Sequence, residues 1–297
     1  MKILRLLLFA IVGLASASAP SAQTIPLPEV PASIRLPQER ADYIITHFWD
    51  TVGADSLGFR AYSRISVEQS FADFISVFPY ASDQSRQAAF DRLVDISAKN
   101  DNDLYLIADI AERYLYDIES PVASEEYFIL FLHSYIADDS VAEMAKLRQR
   151  MLLDGALKNR PGDNCSDFPY LTPSGAKTSL YKTLATVSAP SSRLLLIFYD
   201  PDCSHCREVM DQLTADTRIT AAVTDGSLTV LAIYSGEEHK LWLDTLSNFP
   251  KEWLAGYDDG TLQEEGTYVI RTLPSLYLIA PSGIVLAKEI TPDSIFH

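Results

Sequence analysis

The sequence predicts a two-domain α+β protein in which an all-α N-terminal half precedes an α/β half. The chain has 297 residues, which is too many for one small domain. Apolar residues recur with helical spacing from Pro37 to about Leu157. Beyond Arg160-Pro161-Gly162-Asp163, apolar runs of strand length alternate with helical stretches. The change in pattern predicts a domain boundary between residues 160 and 161.

Residues 1–22 have the pattern of a secretory signal peptide. Lys2 and Arg5 precede an apolar run from Leu6 to Leu14, and small residues continue to Ala22. The run is too short to span a bilayer, and no other stretch offers 18 apolar residues. We expect no membrane span in the mature chain and a location in the periplasm or another extracytoplasmic compartment, where disulfides persist. A buried N-terminal helix is the alternative interpretation.

The helical domain is expected over residues 37–160, after an extended, proline-containing lead-in over 23–36. Its clearest helix is predicted over 101–118, with Asp101 or Asn102 as the cap. Ser120 and Pro121 fit the N-cap and the first position of the next helix. Further helices are expected near 38–51, 66–78, 83–99 and 140–157.

The second domain is expected over residues 161–297 and is predicted to be a mixed sheet covered by helices. The apolar run 194–199 is typical of a strand that is buried on both faces. A second strand is predicted over 228–234, and a hairpin over 276–280 and 284–288 turns at Pro281-Ser282-Gly283. Helices are predicted over 206–223 and 238–249.

The charge and the motif content exclude several classes of function. The net charge is −16, and residues 24–160 and 161–297 share the acidic excess, with 22 acidic to 13 basic and 18 to 9. Nucleic acid and anionic lipid repel such a surface, so neither is an expected partner. The chain has no glycine-rich phosphate loop and no H-E-x-x-H motif, and we expect neither a cofactor nor a metal.

The chemistry is predicted at a C-x-x-C motif, Cys203-Ser204-His205-Cys206, which lies at the start of a predicted helix. The unpaired N–H groups and the dipole of a helix N-terminus favour the thiolate of a cysteine placed there. Cys203 is therefore the predicted nucleophile toward a substrate disulfide, and Cys206 the thiol that resolves the mixed disulfide.

The residues around the motif leave the redox direction open. His205 and Arg207 add positive charge that would stabilise a thiolate, whereas Asp200 and Asp202 add negative charge that opposes it. The balance depends on distances that the sequence does not give.

Three features in this order resemble the thioredoxin superfamily, and most closely its periplasmic thiol–disulfide oxidoreductases of the TlpA/ResA type. They are Pro161-Gly162-Asp163 followed by Phe168, the C-x-x-C motif, and Thr272-Leu273-Pro274-Ser275 before a hairpin. The resemblance covers about residues 161–290 and implies a thioredoxin-like fold with Pro274, as a cis-proline, in the substrate-docking loop. It also implies cysteine-containing envelope proteins or a partner redox protein as partners. The helical half resembles a domain of unknown function that precedes such domains in bacterial envelope proteins.

The chain departs from thioredoxin at two places. Ile197 stands where thioredoxins have a buried aspartate that assists proton transfer, so a proton acceptor is expected from Asp200, His205 or water. Nine residues follow Lys288, so the closing helix is expected to be missing or a stub, with the helical domain covering that face of the sheet.

Alternatives to thiol exchange remain open. The two cysteines of the motif could form an inert structural disulfide, or could join Cys165 and a histidine in a zinc site. Cys165 itself could be a buried small residue or a regulatory or resolving thiol. The second domain could also be a scaffold in a non-enzymatic envelope binding protein.

Overall fold

The computed structural model describes residues 24–187, 189 and 191–296. It confirms the predicted fold class, because helices occupy the first half and a mixed sheet with helices occupies the second. The chain divides into two compact units, Met1–Val122 and Ala123–His297. The predicted signal peptide lies outside the described residues. Within the described ranges, no helix combines the length and the apolar character needed to cross a membrane.

The first unit is built from helices around an aromatic core. Phe74 is fully buried and contacts the rings of Phe48, Trp49, Phe78 and Phe90. Its described α-helices are Pro37–His47 (α1), Asp50–Ala54 (α2), Arg64–Val77 (α3), Asp83–Ser97 (α4) and Asp101–Ala111 (α5), with short 3₁₀ helices at Gly58–Ala61 and Phe78–Tyr80 and a π-helix at Glu112–Tyr116.

The helix caps differ from the predicted ones at two places. Asn100, not Asp101 or Asn102, caps α5 by accepting the N–H groups of Asn102 and Asp103. Ser120 does not start a helix, because its hydroxyl donates to the carbonyl of Tyr114 at 2.7 Å. The next helix begins after Ser124, whose side chain accepts the N–H of Tyr127.

The second unit contains a seven-stranded sheet and the helices around it. The described helices are Glu125–Ala137 (α6), Glu143–Ala156 (α7), Leu180–Leu184 (α8), Ser204–Ala215 (α9), Thr217–Thr224 (α10), His239–Thr245 (α11) and Thr261–Glu265 (α12). The strands are Pro169–Leu171 (β1), Lys177–Ser179 (β2), Arg193–Tyr199 (β3), Leu228–Tyr234 (β4), Leu254–Tyr257 (β5), Ser275–Ile279 (β6) and Val285–Lys288 (β7). Their order across the sheet is β2-β1-β5-β4-β3-β6-β7.

Strand β3 lies inside the sheet and has apolar residues on both faces. It pairs in parallel with β4 and antiparallel with β6, and its residues 194–199 are at most 3% exposed. Leu195, Ile197 and Tyr199 belong to one apolar cluster, and the alternate residues belong to the other. The predicted double burial of this strand is confirmed.

One face of the sheet is covered by α9 and α10 together with the end of the described chain. The predicted single helix over 206–223 is divided in two, because Asp216 caps α10 by accepting the N–H of Arg218 at 2.8 Å. After β7 the chain forms one 3₁₀ turn, Pro292–Ser294, and Ile295 is fully buried in the apolar cluster of this face.

Candidate functional site

The C-x-x-C motif lies at the carboxyl end of β3, where the chain turns into α9. Cys203 is the N-cap of α9, and its Sγ accepts the N–H of Cys206 at 3.4 Å. The side chain is half-buried, and its Sγ lies 3.9 Å from the carbonyl oxygen of Leu273. Cys203, the predicted nucleophile, thus lies at the N-terminal end of α9, where the helix dipole is positive.

Cys206 lies one turn further into α9 and is only 1% exposed. Its Sγ accepts the N–H of Asp200 at 3.4 Å. Burial, with smaller contributions from Cys203 and Asp200, raises the pKa of the Cys206 thiol to about 12. Cys206 is therefore a protonated thiol at neutral pH. The two sulfurs of the motif differ in exposure, and both are free thiols in this structure.

The loop before β6 lies against Cys203. Strand β6 pairs antiparallel with β3 and places Ser275 opposite Phe198. Leu273 and Pro274, which come just before β6, therefore lie beside the carboxyl end of β3, where the motif follows. The Leu273–Pro274 peptide bond is cis, as the sequence comparison with thioredoxins predicted. The structure therefore brings together Cys203, Cys206 and Pro274 from the predicted site.

The two residues between the cysteines face solvent. Ser204 and His205 are exposed, and His205 Nδ1 lies 3.9 Å from Glu208 Oε2 on the outer side of α9. Arg207 donates from Nη1 to the carbonyl of Pro201 at 2.9 Å, which ties the first turn of α9 to the loop before it. His205 is thus adjacent to Cys206 in sequence but lies outside the buried environment of that thiol.

Asp200 contacts each cysteine once through its backbone and makes a third hydrogen bond through its carboxylate. Its N–H donates to Cys206 Sγ, and its carbonyl accepts the N–H of Cys203 at 3.2 Å. Its carboxylate Oδ1 accepts the N–H of Asp202 at 2.8 Å, which closes a local turn. Ile197, by contrast, is fully buried in the same apolar cluster as Cys206 and supplies no proton acceptor.

A cleft of about 190 Å³ opens beside Cys206 on the side of Asp200. Tyr199 and Phe249 form part of its wall and contact each other edge to face at 5.4 Å between ring centroids. Burial raises the pKa of Tyr199 above its usual range, so its hydroxyl stays protonated. The remaining lining residues are Pro201, Arg207, Met210, Asp211, Thr214, Thr245 and Asn248. Local sequence patterns do not predict this cleft, because its walls come from separate elements.

Cys165 lies on the opposite face of the sheet from Cys206. It packs in the apolar cluster that contains Leu194, Leu196 and Phe198, whereas Cys206 packs with their sequence neighbours. Because alternate residues of a strand face opposite sides, the sheet separates the two sulfurs. Cys165 is 1% exposed, and burial raises its pKa to about 11. This supports the interpretation of Cys165 as a buried small residue. Among the described residues, no three His, Cys, Asp or Glu side chains group as metal ligands.

We expect iodoacetamide to modify Cys203 before Cys165 and Cys206 in the folded, reduced protein. Cys203 is half-buried and the other two are 1% exposed, with raised pKa values that keep them protonated at pH 7. Mass spectrometry of timed digests measures the order, and the urea-unfolded chain, in which all three should react, is the control. Modification of Cys165 as fast as Cys203 would contradict the burial described above.

Comparison with known proteins agrees with the division into a helical half and an α/β half. Residues 14–159 match a family described as a domain of unknown function (DUF5106). The chain is similar to the crystal structure of a thioredoxin-like protein from Bacteroides caccae, with 32% identity over 93% of this chain and 97% of that chain and a TM-score of 0.81.

Two further structures are each similar to less than half of this chain. The C-terminal domain of an uncharacterized protein from Bacteroides fragilis is 33% identical over 46% of this chain and 94% of that chain, with a TM-score of 0.42. The thioredoxin domain of a thiol-disulfide oxidoreductase from Bacteroides vulgatus is 19% identical over 46% and 93%, with a TM-score of 0.39. No curated protein matches the chain.

Proposed function

The chain belongs to the thioredoxin-like family, and from this premise we propose that it is a thiol–disulfide oxidoreductase acting through Cys203 and Cys206. The observation that carries the proposal is the inequality of the two thiols. Cys203 is accessible at a helix N-terminus, whereas Cys206 is buried one turn inside and protonated. An inert structural disulfide has no need of one exposed and one buried sulfur.

The proposed reaction has two displacement steps. The Cys203 thiolate attacks one sulfur of a substrate disulfide, forms a mixed disulfide, and releases the other substrate sulfur as a thiolate that takes a proton. Cys206 then loses its proton and attacks Cys203 Sγ, which releases the second substrate thiol and leaves a Cys203–Cys206 disulfide. The substrate gains two electrons and two protons, and the enzyme loses them. A partner redox protein restores the dithiol, and the reverse sequence oxidises substrates.

Asp200 is the proton acceptor for Cys206 in this proposal. Its backbone N–H donates to the sulfur, and Asp200 and Cys206 line the same cleft, through which a water molecule would relay the proton to the carboxylate. His205 faces solvent beside Glu208, and Ile197 is apolar. Of the acceptors considered from the sequence, Asp200 therefore has the best support.

The loop at Leu273-Pro274 is the proposed docking site for the substrate peptide. Leu273 is partly exposed, and its carbonyl lies 3.9 Å from Cys203 Sγ. An extended peptide whose cysteine reaches Cys203 would therefore pass along the backbone of this loop, where main-chain groups can bind it with little dependence on side-chain type.

The proposed substrates are cysteine-containing envelope proteins, and the proposed location is the periplasm or another extracytoplasmic compartment. The pattern of residues 1–22 supports export, and disulfides form and persist outside the cytoplasm. The thiols carry the electrons themselves, so the reaction as written uses a partner redox protein and no bound cofactor.

The proposal is tested with a Cys206→Ala variant, which cannot resolve the intermediate. We expect it to accumulate mixed disulfides through Cys203 and to lose the insulin-reducing activity of the wild type. The matched Cys203→Ala variant should trap none. Absence of trapped species, together with a wild type that leaves insulin and other model disulfides intact, would contradict the proposal and favour a non-enzymatic binding protein.

The reduction potential of the Cys203–Cys206 pair decides the direction. A value near about −270 mV would make the protein a reductant, and one near about −120 mV an oxidant. Equilibration with glutathione buffers of known ratio measures it.

A further inference from the structure

Four charged side chains form a largely buried cluster beside the docking loop and the edge strand β7. They are Glu125 at the start of α6, Arg271 in the loop before Pro274, Lys288 at the end of β7, and Glu289 directly after it. Lys288 Nζ lies 3.0 Å from Glu125 Oε1 and from Oε2. Arg271 pairs with Glu289, with Nε donating to Oε1 at 2.9 Å, and its Nη2 lies 3.8 Å from Glu125 Oε1.

The cluster is shielded from water and has no net charge. The side chains of Lys288 and Glu289 are 5% and 4% exposed, and those of Glu125 and Arg271 are each 16% exposed. Lys288 also donates to the carbonyls of Ala156 at 3.4 Å and Lys158 at 2.9 Å, at the carboxyl end of α7. One lysine therefore ties the start of α6 and the end of α7 to β7. We call the four side chains the clamp and residues Glu125–Ala156 the helical hairpin.

The backbone of Glu289 supports a specific role for the clamp. Its φ is +52°, in the left-handed region that non-glycine residues seldom adopt. Such a conformation persists only where its surroundings hold it, and here it accompanies the ion pair of the Glu289 carboxylate with Arg271. Arg271 is two residues from Leu273, whose carbonyl faces Cys203. The clamp thus holds the chain close to the carbonyl that faces Cys203.

We propose that Glu125, acting through Lys288 and Arg271, positions the docking loop for peptide substrates. The inference rests on the proposed function and deepens it. Glu125 touches no reacting atom and is a positioning residue. Loss of its carboxylate would leave Lys288 without its acidic partner and would weaken the hold on Arg271, while Cys203 and α9 stay in place.

The test measures the reduction of two disulfide substrates by the Glu125→Ala variant and by the wild type. One is a peptide disulfide, whose backbone can pair with the loop, and the other is 5,5′-dithiobis(2-nitrobenzoic acid), which has no peptide backbone. We expect kcat/KM for the peptide to fall about tenfold through a rise in KM, with the rate toward the small disulfide unchanged. A variant damaged in its overall fold would lose both rates together.

Glu126→Ala is the matched control. Glu126 is the next residue on α6 and pairs with Arg160, and its side chain is 57% exposed. It should leave both rates at the wild-type value. If Glu125→Ala does not fold, the double variant Glu125→Ala/Lys288→Met removes the unpaired cation and should show the same selective loss.

The outcomes of this experiment distinguish a failure of the clamp's proposed role from a failure of the proposed function. Equal peptide kcat/KM in a folded Glu125 variant and the wild type would overturn the clamp's role and leave the proposed function standing. A parallel loss with both substrates would likewise overturn it. A wild type that reduces neither disulfide would overturn the proposed function, and the role of the clamp with it.

Discussion

Replacing Asp200 by asparagine is expected to slow the resolution of the mixed disulfide by about 100-fold, the scale of general-base catalysis. Burial raises the pKa of Cys206 to about 12, so almost none of it is thiolate at pH 7, and its proton must leave before it attacks. Asparagine keeps the oxygen that accepts the N–H of Asp202 and so preserves the local turn. It removes only the carboxylate that could take the proton.

The sign of the effect distinguishes a base from a fixed charge. The negative charge of Asp200 contributes to the raised pKa of Cys206, so its removal by itself would lower that pKa and speed resolution. A slower Asp200→Asn variant therefore supports proton transfer, and a faster one would show that Asp200 acts through its charge alone. Rapid quenching and mass spectrometry of the mixed disulfide measure the rate.

The control is Asp202→Asn, which removes the same charge two residues away. Asp202 is exposed, and its N–H rather than its carboxylate contacts Asp200, so we expect little change. Asp211 also borders the cleft, and if it were the base instead, Asp200→Asn would keep the wild-type rate and pH profile. Without a base, resolution should accelerate about tenfold per pH unit below pH 12, because the thiolate fraction does. The wild-type profile should be flatter near neutral pH.

Strands β3 and β4 were predicted from their long apolar runs, and strands β6 and β7 from the turn at Pro281-Ser282-Gly283 between them. Strands β3 and β4 have seven residues each and were placed almost to the residue, because burial on both faces requires an uninterrupted apolar run. Strands β1 and β2 have three residues, and β5 has four. Runs of that length carry no periodicity, and these strands exist because they pair with one another and with β4.

The candidate site was predictable as far as it is local in sequence. A C-x-x-C after a buried strand and a proline before a hairpin are local patterns, and the structure brings Cys203, Cys206 and Pro274 together. Local patterns do not predict that His205 faces solvent, and they do not predict that the sheet separates Cys165 from Cys206. The clamp could not be predicted from local patterns either, because Glu125 and Lys288 are 163 positions apart in the sequence.

A fragment that begins at Pro161 is expected to be less stable than one that begins at Ala123 by about 1.5–3 kcal/mol, the scale of a hydrogen bond to a charged group. The shorter fragment keeps Lys288 and Arg271 but loses Glu125 and the α7 carbonyls that Lys288 binds. The longer fragment keeps the whole clamp and corresponds to the second compact unit. Urea unfolding of both fragments, followed by circular dichroism, measures the difference.

The same experiment decides between two positions for the domain boundary. The change of sequence pattern places it between residues 160 and 161, whereas the contacts divide the chain between Val122 and Ala123. If the helical hairpin belonged only to the N-terminal domain, both fragments would unfold at the same urea concentration. Introducing Lys288→Met into each fragment is the control. The difference in stability between the two fragments should then become smaller, since methionine at position 288 pairs with neither Glu125 nor the α7 carbonyls in the longer fragment.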